Sequence, residues 1–112
     1  MEVRAIARNV RVSPRKVRLI LDAVRGKRVD KALDILRYLP SPSAKTVTKV
    51  VRSAVANAEN NYQMSPRNLI IVRTYADEAR MLKRSRPKAR GRVGPILRRF
   101  SHITVVVDEE EG

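Results

Sequence analysis

The sequence predicts an α+β protein, and three observations carry that expectation. Three stretches place apolar residues at helical spacing, and two of them open on a Ser-Pro pair, at 13–14 and 41–42. Another stretch alternates apolar and charged residues, and two later ones are rich in β-branched residues. Between the last two of these lies the run KRSRPKARGRVGPILRR, residues 83–99, which carries much charge and offers little to bury. The length of 112 residues suits one domain, spanning 1–112. Hydrophobic residues make up 43%, so a folded body is expected. Aromatics are only 4% with no Trp, so the core must come from Val, Ile, Leu and Ala.

Residues 2–12, EVRAIARNVRV, read as a strand with a flaw. Val3, Ala5 and Ala7 share one parity and Val10 and Val12 the other, which predicts a bulge or bend near Asn9. Ser13-Pro14 reads as an N-cap and first helical residue. Val17, Ile20, Leu21 and Val24 then form one face, and Gly26 supplies a left-handed stop. A second, shorter helix is expected from about Asp30, read as its cap, to Tyr38, with Ala32, Leu33 and Leu36 inward, Leu39 just beyond and Pro40 closing it. The longest helix follows, about residues 43–61, with Ala44, Val47, Val51, Ala54, Val55 and Ala58 as a stripe of small side chains. After a turn at Ser65-Pro66, LIIVRTYA (69–76) and HITVVV (102–107) read as strands.

Charge narrows the function. The net charge is +14 and the sequence pI about 11.4. Such an excess costs the compact state self-repulsion unless a polyanion relieves it, and nucleic acid is the usual polyanion. The excess is uneven. Arg80, Lys83, Arg84, Arg86, Lys88, Arg90, Arg92, Arg98 and Arg99 crowd into twenty residues, and no acid occurs from 79 to 107. The other 16 Lys and Arg are set against all 11 acids, leaving +5 on the rest of the chain.

Twenty structureless residues between two strands would be unusual in a compact domain. Either the segment is disordered, or the flanking strands continue outward as a two-stranded ribbon. Ten residues a side at ~3.3 Å each would project about 30 Å. KARGRVG, residues 88–94, has the glycines of a tip. An isolated hairpin is marginal in water, so such a ribbon needs an anionic mould. The charge spacing favours a mould over a tail. Met81, Leu82, Pro87, Val93, Ile96 and Leu97 interrupt the cations, and a solvated tail has no use for them. Arginine outnumbers lysine seven to two, and guanidinium both forks onto phosphate and stacks on bases.

These residues resemble a known family. LKRSRPKARGRVGPILRRFSHITVVV (82–107), SPRKVRLILDAVRGK (13–27) and SAVANAENN (53–61), with SHITV (101–105) inside the first, are similar in order and spacing to the bacterial large-subunit ribosomal protein L twenty-two family. The resemblance implies three helices packed on a small three-stranded antiparallel sheet, with a long protruding β-hairpin at about 79–100. It implies a structural constituent of the large subunit that binds several domains of ribosomal RNA and supports assembly. The hairpin would line part of the nascent-peptide tunnel near its narrow region and the macrolide site. Neighbouring large-subunit proteins and the nascent polypeptide would be its other partners. The tunnel-facing tip maps onto Lys88, Ala89, Arg90, Gly91, Arg92, Val93 and Gly94, with Lys83 and Arg84 close behind. Three departures from the family pattern fall here. Gly94-Pro95 replaces a common Ala-Asp pair, Arg86 an apolar residue and Phe100 a Thr. Pro95 lacks an N–H, which predicts a lost ladder bond and an irregular return limb.

On the body, Arg15, Lys16 and Arg18 are the candidates for phosphate contact. Arg18 and Arg25 also lie within reach of Asp22, which would make that face an ordinary solvated one. Lys45, Lys49 and Arg52 are open between RNA contact and a wet helix face. Tyr75 and Phe100 are either stacking groups or core. His102, the single histidine, has no partners of metal-binding spacing. The acidic end, 108–111, reads as a frayed, solubilising terminus. With no cysteine there is no disulfide framework and no thiol chemistry. No glycine-rich phosphate loop, metal cluster or convincing acid pair points to an enzyme, and no catalytic residue, cofactor or metal is expected. No apolar run reaches the ~20 residues of a membrane helix, and the N-terminus lacks a signal-peptide core, so a soluble, cytoplasmic protein is expected. The competing class is a free-standing DNA-binding or nucleoid protein that reads a groove with its first helix.

Overall fold

The computed structural model describes residues 1–79, 82–87, 93–98 and 100–109, with 82–87 and 93–98 described by their backbone path. Strand β1 is Val3–Val10, followed by helices α1 (Pro14–Val24), α2 (Val29–Tyr38) and α3 (Pro42–Tyr62). A 3₁₀ turn at Pro66–Asn68 leads into β2 (Leu69–Glu78), the hairpin strands β3 (Leu82–Pro87) and β4 (Val93–Arg98), and finally β5 (Ser101–Glu109). The sheet order is β1-β5-β2, all antiparallel, and β3 and β4 form a separate two-stranded sheet. The α+β class, the three helices and the three-stranded sheet are as expected.

The helices cover one face of the sheet. Val3 and Ala5 of β1, Ile103, Val105 and Val107 of β5, and Leu69 and Ile71 of β2 meet Val17, Leu21, Val24, Ala32, Leu36, Val47, Val51, Ala54 and Ala58 in one aliphatic cluster. β5 sits centrally because its β-branched run can be buried by neighbours on both edges. A bulge in β2 preserves the pattern. The register slips between Ile71 and Arg73, which reverses parity and lets Thr74 and Ala76 face inward after Leu69 and Ile71.

The flaw expected in β1 is present. The register shifts between Ala7 and Val10, and Asn9 has φ 56°. Asn9 N donates to His102 Nδ1 at 3.1 Å, and the buried Ser101 Oγ donates to Val12 O at 2.6 Å. The lone histidine therefore accepts the hydrogen bond that holds the bulge.

The helix ends refine the sequence reading. Ser13 occupies the N-cap of α1, but its side chain makes no capping bond. Pro14 brings no N–H to satisfy, and Lys16 N is taken by Ser13's own carbonyl at 3.1 Å. Ser41 does cap, its Oγ accepting from Ser43 N at 3.3 Å. Asp30 is not the cap of α2. The helix starts earlier because Arg28 bridges to Ile70 and Val29 is buried, so Arg28 becomes the N-cap and Asp30 accepts from Lys31 N within the first turn. Val50 joins the buried stripe of α3 and Val55 is half-buried. α3 ends on Gln63 in the left-handed region, with Met64 N donating back to Ala58 O at 3.1 Å. Gly26 has φ +80° as predicted. A Cβ there would meet nothing within 4 Å, so the backbone angle alone selects glycine.

The acidic end is not wholly frayed. Asp108 and Glu109 belong to β5, and Asp108 Oδ1 accepts from the N-terminal amine at 3.2 Å. Residues 110–111 of that expectation lie outside the described residues.

Candidate nucleic-acid interface

The hairpin grows from the sheet. Glu78 pairs with Ser101, Ala79 N donates to Phe100 O at 2.9 Å, and Leu82 then pairs with Arg98. Two residues separate Ala79 from Leu82, but one separates Arg98 from Phe100, so the ladder resumes one step out of register. From there it runs without a shift, Lys83 opposite Leu97, Arg84 opposite Ile96, Ser85 opposite Pro95, Arg86 opposite Gly94 and Pro87 opposite Val93. The irregularity expected at Pro95 is therefore absent from the register. Val93 and Gly94, expected in the tip, belong to β4. Lys83, Arg84, Arg86 and Arg98 lie on the hairpin strands. Arg80, Arg99 and the tip positions Lys88, Ala89, Arg90, Gly91 and Arg92 lie outside the described residues.

The cations of α1 divide into two kinds. Arg18 donates from Nε and Nη2 to Ala76 O at 3.1 and 2.8 Å. Arg25 donates to Thr74 Oγ1 at 3.0 Å and pairs with Asp22 at 3.1 Å. Gly26 N and Lys27 O pair with Ile71 further along the same strand. The outer edge of β2, which would otherwise present bare backbone, is thus covered by α1 and the loop behind it. Arg18 is committed to the scaffold through the same guanidinium that sequence reasoning offered to phosphate, and Asp22 pairs with Arg25 instead. Arg15 and Lys16 remain exposed, with no polar partner among the described residues.

Among the described residues, no helix covers the other face of the sheet. Ile6, Thr104 and Tyr75 stand in one row across it, and Tyr75 is 46% exposed. Tyr75 is therefore a surface ring and not core, while Phe100 is half-buried. Arg73 on this face pairs with Glu2 at 3.2 Å. Sequence reasoning missed Arg37, which the α2–α3 packing brings beside Lys45, Lys49 and Arg52. Its signal was only a lone exposed arginine near the end of a short helix.

Among the described residues there is no group of three potential metal ligands, and no helix is long and apolar enough to cross a membrane. The fold and the exposed cations define a small, strongly basic α+β protein. The chain matches the family described as Ribosomal protein L22p/L17e over residues 5–108. It is 63% identical over 107 residues to the large ribosomal subunit protein uL22 of Dehalococcoides mccartyi strain CBDB1, covering 96% of this chain and 98% of that one. It is 54% identical over 111 residues to the uL22 protein of Thermoanaerobacter pseudethanolicus, covering 99% and 100%. For that of Herpetosiphon aurantiacus the figure is 53% over 111 residues, covering 99% and 98%. The chain belongs to the ribosomal protein L22p/L17e family and is a structural protein, not an enzyme.

Proposed function

We propose that this protein is a structural constituent of the large ribosomal subunit that binds ribosomal RNA, supports subunit assembly and lends its hairpin to the wall of the nascent-peptide exit tunnel. The carrying observation is that the most cationic segment of the chain contains a two-stranded sheet of its own, β3–β4, lying between β2 and β5 in the chain. The molecule measures 66 × 27 × 17 Å, and its Cα radius of gyration of 17.1 Å exceeds the ~13 Å of a compact domain near this length. That supports one domain, 1–112, with a protruding arm at about 79–100. Arg15 and Lys16 supply a further phosphate contact from the body, and Arg18 positions them. Residues 88–94 face the tunnel and the nascent chain, and neighbouring subunit proteins flank the body.

Binding by phosphate neutralisation releases counterions. Six to ten such contacts reduce affinity by roughly 10³ to 10⁵ between about 50 and 200 mM salt. The decisive test measures that slope on a large-subunit RNA fragment, with and without the arm cations replaced by Gln. A steep slope that flattens with the substitutions supports the reading. A slope indifferent to them sinks it. The DNA-binding alternative predicts preference for duplex DNA in direct competition, and family membership weighs against it.

A further inference from the structure

On α3 alone, Lys45, Lys49 and Arg52 are undecided between a wet face and a contact surface. The tertiary structure adds what spacing cannot. Between α2 and α3 lies a groove of about 450 Å³. Its floor is aliphatic, with Leu36 buried and Leu33 and Leu39 half-buried. Its rims carry Arg37 from α2 and Lys45, Lys49 and Arg52 from α3, all exposed. No acidic side chain lines it, and none of the four cations has a polar partner among the described residues.

Four uncompensated cations around an apolar floor suit a ligand that is anionic at its edges and apolar at its centre. Along the α3 axis, Lys45 to Lys49 spans about 6 Å and Lys49 to Arg52 about 4.5 Å, so successive charges on a strand can be met in turn. An acidic peptide would gain little, because exposed ammonium–carboxylate pairs are weak. A polyphosphate gains at every cation it meets, through counterion release. A duplex could reach the rims but would leave the leucines wet. An unpaired strand can lay a base on them, with the guanidinium planes of Arg37 and Arg52 available for stacking.

We propose that the α2–α3 groove binds a single-stranded segment of RNA, its phosphates on Arg37, Lys45, Lys49 and Arg52 and one unstacked base on the leucine floor. This is an RNA site separate from the arm and from Arg15 and Lys16. It rests on the reading of the protein as an RNA-binding component.

The test uses the full-length protein and a labelled single-stranded RNA oligonucleotide, with binding followed by anisotropy across salt concentrations. An arm variant, with Lys83, Arg84, Arg86, Lys88, Arg90 and Arg92 replaced by Gln, removes most of the arm's charge and lowers its share of the binding. In that background, Gln at Arg37, Lys45, Lys49 and Arg52 should lower the slope of log K on log salt by about 2 to 3, at roughly 0.7 for each phosphate no longer neutralised. Leu33→Ala should weaken binding roughly five-fold with the slope unchanged. An abasic oligonucleotide should show a similar loss on the unsubstituted groove, which keeps the test independent of whether Leu33→Ala folds well. An unchanged slope overturns the proposal. So does duplex RNA that binds equally well, or polyglutamate that competes as strongly as RNA of equal charge. Loss on substituting the arm alone, with the groove variant normal, sinks the groove and leaves the arm's role standing. The reverse pattern sinks the arm and leaves the groove.

Discussion

The sheet β1-β5-β2 and the hairpin β3–β4 are built on the same antiparallel ladder, yet they are stabilised from different sources. The sheet has a helical layer on one face, and Ile103, Val105 and Val107 of its central strand are fully buried. Its outer edge at β2 is covered by Arg18, Arg25 and the loop at Gly26 and Lys27. Among the described residues the hairpin strands pair with each other alone, and a two-stranded sheet is marginal in water. Backbone pairing alone therefore does not make a stable element. Burial behind the ladder does, as the enclosed residues of β5 show. Charge follows the same division. The body's cations are partly consumed inside the protein, as Arg18 shows, while those of the hairpin accumulate without acids between 79 and 107.

The sharpest way to break this comparison is to attack each region in turn. Ile103→Ala should cost about 2–5 kcal/mol in urea unfolding, because the site is fully enclosed. Replacing residues 80–99 by a short turn between Ala79 and Phe100 should leave the unfolding free energy within about 0.5 kcal/mol, since Ala79 N and Phe100 O are already joined at 2.9 Å where the turn would close. A large loss on that deletion would mean the body depends on the arm. Ser101→Ala should cost about 1–3 kcal/mol by leaving the carbonyl of Val12 without its buried donor. Gly26→Ala should cost about 1–2 kcal/mol from the left-handed backbone alone, and Gly26→Asn distinctly less. The smallest effect among the point substitutions separates two arginines on α1. Arg18→Gln should lose about 1 kcal/mol with the Ala76 carbonyl bonds, whereas Arg15→Gln should leave stability unchanged and reduce only the salt slope of RNA binding. Equal stability losses in the two would erase the distinction between scaffold and surface arginines.

Most of the fold was legible because its signals are local. Two Ser-Pro pairs, a glycine after Val24 and the parity change near Asn9 each announce a backbone event within a few residues. The errors share one cause. Asp30 looked like a cap because its side chain is suited to one, but burial of Val29 and the bridge from Arg28 to Ile70 moved the helix start. Asp22 looked like a partner for Arg18 because they are four residues apart, but a β2 carbonyl lay nearer in space. The interface was half legible. Charge density marked the arm, but nothing on α3 could reveal that Arg37 and a leucine floor stand opposite its lysines.

The sequence by itself determined which stretches coil, which extend, and where positive charge exceeds every internal use for it. Those are matters of periodicity and composition, and each can be read within a window of a few residues. Only the tertiary structure decided which arginines are spent on sheet edges, which ring faces solvent, and which lysines gain an apolar floor. Each of those depends on residues far apart in the chain being brought together, and no local pattern encodes that distance.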